Sequence, residues 1–153
     1  MIFATVGVSP HPFDRFVREM DRVAGKISEK VIIQTGSSNV KVKKCESVKY
    51  LLFDEFIQHI KNSRVVVGHC GAGTVLSAIK FKKPIVVVPR KREYNEIFDD
   101  NQIDFARGLE KIGFKVVYDI KHLENAIASI NNTRIISDRR RLIRLIKSFI
   151  DEL

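Results

Sequence analysis

The residue types best suited to chemistry lie near the middle of the chain, in the glycine-rich segment GHCGAGT at residues 68–74. The segment follows an apolar run at 64–67 and precedes an apolar helical pattern, so it connects a strand to a helix. Glycine has no Cβ atom, so backbone N–H groups near Gly71 and Gly73 can approach an oxyanion closely. The helix start adds free N–H groups and a partial positive charge, and Thr74 adds a hydroxyl. The segment predicts a phosphate or diphosphate site, with a ligand-free strand-to-helix corner as the alternative.

A second candidate loop, at residues 7–15, follows the first apolar run and contains Gly7, Ser9 and two prolines. Its His11 could donate a hydrogen bond to a phosphate or to a partner chain, or it could be an ordinary surface residue. The spacing of His, Cys, Asp and Glu is not that of a zinc site, so no bound metal is expected. The two cysteines, Cys45 and Cys70, are too few for a disulfide framework.

These loops need a common scaffold, and the order of the apolar runs predicts a parallel sheet. Short apolar runs predict strands at residues 1–6, 31–33, 50–53, 64–67, 84–88 and 115–118, whereas the polar stretch 40–49 is ambiguous. Helical spacing predicts helices between them, with Asp54 as one N-cap and with Gly25 and Gly113 as helix ends. Strands that alternate with helices form parallel sheets covered on both faces. The predicted fold is α/β, a Rossmann-like parallel sheet of about six strands with helices on both faces.

The composition is that of a soluble globular protein and favours anionic partners. The 153 residues are 44% hydrophobic and 29% charged, which indicates one domain over residues 1–153. No apolar run approaches the roughly 20 residues of a spanning helix, and the first residues lack the basic region of a signal peptide. We therefore expect a cytoplasmic protein. The net charge of +9 favours nucleic acid, phosphate ligands or an anionic membrane, with a solvated basic surface as the alternative.

A nucleic-acid-binding module is the alternative that the charge alone suggests. Basic residues cluster at 41–44, at 80–92 and at 139–147. No RRM, KH or helix-turn-helix pattern accompanies these clusters, and they lack interleaved aromatic residues for base stacking. Nucleic acid is therefore not expected as a partner.

Three segments in a fixed order, 68–76, 83–90 and 99–106, resemble the C-terminal, nucleotide-sugar-binding domain of GT-B glycosyltransferases. The resemblance is to the MurG-like group, glycosyltransferase family 28. It is closest to the stand-alone small subunits of two-part UDP-GlcNAc and exopolysaccharide transferases. Residues 5–7, 12–17 and 34–36 also resemble those small subunits, so the likeness extends from residue 1 to about residue 118.

The resemblance implies one half of a GT-B fold that holds a UDP-sugar, such as UDP-GlcNAc or UDP-GalNAc, without metal or cofactor. A membrane-anchored partner would hold the lipid-linked or polysaccharide acceptor at the cytoplasmic face of a membrane, so that this chain associates with the membrane through its partner. The general base would come from that partner, with His11 as a candidate within this chain. The alternative is a non-catalytic activator subunit of such a transferase.

The resemblance also assigns individual residues. The turn from Gly71 to Thr74 matches the family's loop that meets the donor diphosphate. Asn101 and Gln102 match the family's pair of residues that faces the donor sugar. Ser77 stands where relatives commonly carry a glutamate for the ribose hydroxyls, and a serine cannot make that bidentate contact. The expected substrate-binding residues are Gly7, His11, His69, Gly71, Ala72, Gly73, Thr74, Ser77, Arg90, Asn101 and Gln102.

The last predicted element is an amphipathic helix within residues 134–153, with Ser137 as its N-cap. Its apolar face includes Leu142 and Ile146, and its opposite face carries Arg140, Arg141, Arg144 and Lys147. The helix either packs on its own sheet or docks on the partner half, with its basic face towards an anionic membrane.

Overall fold

The computed structural model describes residues 1–130 and 139–151. Its strands are β1 Ile2–Thr5, β2 Val31–Gln34, β3 Glu46–Val48, β4 Val65–His69, β5 Ile85–Val88 and β6 Lys115–Val116. Its helices are α1 Asp14–Ala24, α2 Phe53–Asn62, α3 Ala72–Lys80, α4 Asn101–Lys111, α5 Leu123–Ser129 and α6 Arg139–Asp151. Short 3₁₀ turns lie at Arg92–Tyr94 and Ile120–His122. The expected N-cap Ser137 lies outside the described residues.

The six strands form one sheet in the order β3-β2-β1-β4-β5-β6, and every neighbouring pair is parallel. This is the doubly wound order of Rossmann-like domains. The chain builds one side of the sheet from β1 to β3 and then returns to build the other side from β4 to β6. The direction in which successive strands are added to the sheet therefore reverses between β1 and β4. At this switch point, ligands of such sheets bind beyond the carboxyl ends of the strands.

Helices cover both faces of the sheet, which explains why the strands are continuous apolar runs. Ile2 and Ala4 of β1 point into a core shared with α1 and α5. Phe3 points into the opposite core, which is shared with α2, α3, α4 and α6. In the four inner strands β1, β2, β4 and β5, every residue except His69 is buried, so these strands show no regular alternation of apolar and polar residues. The predicted α/β class and parallel sheet are confirmed.

Two local predictions are wrong. The strand expected at residues 50–53 is absent, because the chain pairs with β2 earlier, along Glu46–Val48 in the ambiguous stretch. The residues that follow form a loop in which Leu52 is 75% exposed. Asp54 is not an N-cap, because α2 already begins at Phe53, and the backbone N–H of Leu52 donates to the Glu55 carboxylate at 2.9 Å.

The helix ends predicted at glycines are confirmed. Gly25 is the C-cap residue of α1. Gly113 follows α4 with a φ of +98°, a left-handed conformation that glycine adopts without strain. The N–H of Gly113 donates to the Glu110 carbonyl at 3.0 Å, and the N–H of Phe114 donates to the Leu109 carbonyl at 3.1 Å. This is a Schellman motif, which satisfies the last carbonyl groups of the helix.

The apolar face of α6 packs on α4. The side chain of Leu145 occupies the space that a Cβ atom at Gly108 would fill. The rings of Phe105 and Phe149 stack with centroids 4.4 Å apart. Between these contacts, Ile146 is 6% exposed. The outward face of α6 is basic and exposed, and it includes Arg140, Arg144 and Lys147.

Candidate functional site

A cavity of about 490 Å³ opens beyond the carboxyl ends of β1 and β4, where the sheet changes direction. Five of the expected substrate-binding residues line it together: Gly7, His69, Gly73, Thr74 and Ser77. The other lining residues are Val8, Gln34, Leu51, Phe53 and Phe56. The fold therefore brings the two candidate loops into a single concave site.

The first turn of α3 forms one wall of this cavity. Gly71 precedes the helix in an extended conformation, so the chain turns from β4 into α3 within two residues. The first backbone N–H groups of a helix have no acceptor within it, and the first turn of α3 contains no acidic residue. A Cβ atom at Gly73 would meet none of the described residues within 4 Å. The helix start is thus open to a ligand and suited to an anion.

The imidazole of His69 is held between two glycines of the two loops. A Cβ atom at Gly7 would lie 2.7 Å from its Nε2 atom, and one at Gly71 would lie 2.9 Å from its Cδ2 atom. Gly7 also has a φ of +75°, so both space and conformation require glycine there. Gly7 and Gly71 therefore make room for the histidine, whereas the space beside Gly73 is open.

His69 is neutral at physiological pH. Burial lowers its pKa to about 4, and the positive charge of Arg90 acts in the same direction, against a weaker opposing effect of the Thr5 backbone. A neutral imidazole carries one N–H donor and one acceptor nitrogen. Its Nδ1 atom is buried and has no hydrogen-bond partner among the described residues.

Another wall of the cavity is apolar. Val8, Leu51, Phe53 and Phe56 supply it from the loop after β1 and from the segment that enters α2. Polar groups are few, and none of the ten described lining residues is acidic. Such a pocket suits a planar, weakly polar ring beside the anion site. Sequence reasoning did not assign these four residues to the site; Leu51 and Phe53 were predicted to lie in a strand at 50–53.

The other expected residues lie outside this lining. Gly71 and Ala72 flank the helix start, and His11 packs edge-on against Phe98 with ring centroids 4.3 Å apart. Asn101 begins α4, and its backbone N–H donates to the Asp99 carboxylate at 3.0 Å.

Gln102 and Arg90 are bound to each other. The amide oxygen of Gln102 accepts from the backbone N–H of Arg90 at 3.0 Å, and both side chains are buried. The guanidinium of Arg90 binds backbone carbonyl groups. The structure therefore places Arg90 behind the site rather than on its surface.

Among the described residues, no group of three or more His, Cys, Asp or Glu side chains is arranged to hold a metal ion. Among the described helices, none is both long enough and apolar enough to cross a bilayer.

The structure is a doubly wound sheet with an open helix start and an apolar pocket at its switch point, the place where ligands of such sheets bind. The model of the glycosyltransferase family 28 C-terminal domain matches residues 1–140, and the chain belongs to this family. The UDP-N-acetylglucosamine transferase subunit ALG13 of Candida albicans is 23% identical over 77 residues, which are 50% of this chain and 25% of ALG13.

Solved glycosyltransferases share the fold. Spinosyn forosaminyltransferase SpnP aligns with a TM-score of 0.57 at 13% identity, over 98% of this chain and 39% of its own. The calicheamicin glycosyltransferase CalG4 aligns with a TM-score of 0.57 at 14% identity, over 98% of this chain and 38% of its own. The chain therefore spans about two fifths of the length of these enzymes, one half of a GT-B fold.

Proposed function

We propose that this chain is the donor-binding subunit of a two-part glycosyltransferase and that its cavity binds a UDP-sugar. The observation that carries the proposal is the pairing of an open helix start at Gly73 with an apolar wall in one cavity. A nucleoside diphosphate has the same two parts, a flat base and a doubly charged diphosphate. Family membership and the subunit description of ALG13 support the same assignment.

In this proposal the diphosphate lies against the first turn of α3. The bond between the sugar and the diphosphate breaks while the acceptor hydroxyl forms a new bond to the sugar, so negative charge grows on the leaving UDP. The free N–H groups of the helix start, the Thr74 hydroxyl and an N–H of neutral His69 are donors that stabilise this charge. Ser77 and Gln34 are the polar groups left for the ribose.

The sugar extends from the diphosphate towards the start of α4. Asn101 and Gln102 would face its hydroxyls, as the family resemblance implies. Because the Gln102 oxygen already accepts from Arg90, its amide NH₂ is the group left for a sugar hydroxyl. The general base, which takes the proton from the acceptor hydroxyl, is assigned to the partner. His11, the candidate within this chain, lies outside the cavity lining.

The partner would cover the mouth of the cavity. Large apolar residues are exposed in the segments that follow the carboxyl ends of three strands: Val8 is 78% exposed, Phe53 is 72% exposed and Phe98 is 80% exposed. Exposed apolar residues gathered at one edge are typical of a protein interface. The proposal assigns the acceptor half of the fold to a separate, membrane-anchored subunit, through which this chain associates with the cytoplasmic face of a membrane.

A non-catalytic activator subunit is the second candidate function. It is favoured by Ser77 and by the absence of any acidic residue from the ten described lining residues, because no carboxylate is then available for the ribose hydroxyls. An activator would keep the fold and the partner surface without binding a donor. The two candidates therefore differ in whether the chain binds UDP.

Isothermal titration of the purified chain with UDP, UDP-GlcNAc and UDP-GalNAc tests the proposal, with ADP as the control for base recognition. We expect UDP to bind, and the ADP titration measures how far the apolar wall distinguishes a uracil ring from an adenine ring. No heat and no thermal shift at millimolar UDP would favour the activator. Transfer assays with and without the membrane-anchored subunit then test whether both halves are needed.

A further inference from the structure

Arg90, directly after β5, is a fully buried guanidinium that holds backbone groups of two loops. Its NH2 group donates to the Val6 carbonyl at 2.8 Å. Its NH1 group donates to the carbonyls of His11 at 2.9 Å and of Glu96 at 3.1 Å. The ring of Phe13 lies against the same guanidinium, with its centroid 4.7 Å from Cζ. The ion pairs formed by the described residues do not include this guanidinium.

The contacts of Arg90 lead to the wall of the cavity. Val6 immediately precedes Gly7, whose backbone packs against the His69 ring, and the Gly7 N–H donates to the Thr5 hydroxyl at 3.0 Å. By binding the Val6 and His11 carbonyls, Arg90 fixes both ends of the loop that carries Gly7. A displacement of this loop would move the backbone away from the imidazole.

The loop after β5 has an additional anchor that does not pass through Arg90. The Glu96 carboxylate accepts from Nε of Arg15 at 2.8 Å and from the Lys91 N–H at 2.9 Å. Arg15 also donates to the Pro89 carbonyl at 3.2 Å. The ion pair of Arg15 and Glu96 therefore holds the loop after β5 against α1 without Arg90. The function of Arg90 is thus not simply to hold this loop in place.

Arg90 and His69 are also linked by charge. The guanidinium is the charged group whose field lowers the pKa of His69, besides burial of the imidazole itself. Each side chain has one buried nitrogen without a partner among the described residues, Nε of Arg90 and Nδ1 of His69. Burial also lowers the pKa of Arg90, to about 10, so it remains charged at neutral pH.

We propose that Arg90 is a positioning residue of the donor site, which joins the loops after β1 and β5 and so holds the Gly7 backbone against the His69 ring. This inference rests on the proposed function, because His69 is the imidazole proposed to meet the diphosphate. Arg90 itself does not touch the donor. Its effect on binding passes through the backbone at Gly7, and the His69 pKa reports whether the guanidinium is still in place beside the imidazole.

Two substitutions separate the charge of Arg90 from its hydrogen bonds. Arg90→Met removes both, and Arg90→Lys keeps the charge but loses the forked geometry that reaches carbonyls on different loops. Arg15→Met is the matched control, because it frees the Glu96 carboxylate on the same loop and leaves the guanidinium of Arg90 in place. The His69 pKa is measured by NMR titration of the imidazole, and UDP affinity is measured by calorimetry.

We expect Arg90→Met to raise the His69 pKa by about one pH unit and to weaken UDP binding by roughly tenfold or more. Arg90→Lys should leave the His69 pKa near that of the wild type and still weaken UDP binding. Arg15→Met should change UDP affinity by less than about twofold, as for substitutions away from the site.

Folded Arg90 variants with wild-type UDP affinity and an unchanged His69 pKa would overturn the inference. If Arg90→Met does not fold, the Arg90→Lys variant alone tests the inference, which requires that Arg90→Lys binds UDP more weakly than the wild type. If wild-type protein does not bind UDP, the proposed function fails. The His69 titration and hydrogen exchange at the Gly7 amide then still decide whether Arg90 positions the loop.

Discussion

Replacing Gly73 by valine separates ligand binding from folding, because the space beside this residue belongs to the cavity. A Cβ atom there would meet none of the described residues within 4 Å. The position is the second residue of α3, where valine is tolerated better than glycine on grounds of helix propensity. We therefore expect Gly73→Val to fold with an unchanged or slightly higher melting temperature.

The same side chain should block the diphosphate. Its branched carbons would stand between the ligand and the free N–H groups of the first helical turn. A hydrogen bond to a charged group contributes about 1.5–3 kcal/mol, so losing two of them costs roughly 3–6 kcal/mol of binding free energy. This corresponds to at least about a hundredfold decrease in UDP affinity. Gly73→Ala adds one methyl group and should cause a smaller loss.

Calorimetry of the series glycine, alanine and valine at position 73 measures the effect, with circular dichroism as the check on folding. Gly25→Ala is the control, because Gly25 ends α1 in an ordinary helical conformation. Its added methyl group would meet the flexible Lys44 side chain at 3.3 Å and the Arg22 carbonyl oxygen at 3.4 Å. A folded Gly73→Val protein that binds UDP as tightly as the wild type would refute the placement of the diphosphate at α3.

Three further predictions concern stability. Gln102→Ala leaves the buried Arg90 N–H without its acceptor and should lower the free energy of unfolding by about 1–3 kcal/mol in urea titrations; no change would mean that this hydrogen bond is dispensable. Ile146→Ala should cost about 2–5 kcal/mol and its neighbour variant Arg144→Ala less than about 0.5 kcal/mol, because α6 packs by its apolar face; equal effects would contradict that packing. Since the His69 pKa of about 4 in the folded state lies below its unfolded value of about 6.5, the unfolded state binds the proton first. The free energy of unfolding should therefore fall as the pH decreases from 6.5 towards 4, by at most about 3 kcal/mol, and His69→Gln should lack this dependence.

The sheet and the helix start could be predicted because their signals are local in the sequence. The strands on both sides of the switch point are buried on two faces, so each reads as an unbroken apolar run. Gly113 marks the end of α4 because the Schellman motif needs a left-handed residue there. Gly73 lies in the glycine-rich turn that marks the start of α3, and the space beside it is open, as the proposed diphosphate site requires.

The remaining parts of the site depend on contacts between distant residues. In the sequence, Arg90 resembles one more member of a basic cluster. In the structure it is buried, and its guanidinium donates hydrogen bonds to the carbonyl groups of Val6 and His11, which are 84 and 79 positions away in the chain. The edge strand β3 could not be found by hydrophobicity, since two of its three residues are polar and its pairing depends on the backbone of β2. Phe53 and Phe56 line the cavity because the tertiary fold places the start of α2 beside the loop after β1 and the start of α3.

The packing of α6 limits which surfaces of this chain are available to the proposed partner subunit. An apolar helix face cannot pack on its own domain and dock on a second subunit at the same time, and the face that carries Leu142 and Ile146 is already buried against α4 and the sheet. What α6 still exposes is a basic surface bordered by Ile143 and Ile150, which are 54% and 52% exposed. Such a surface suits an anionic membrane better than a protein core. In the proposed function, the apolar contact with a partner subunit is then left to the residues around the mouth of the cavity, where closure by that subunit would also exclude water from the donor.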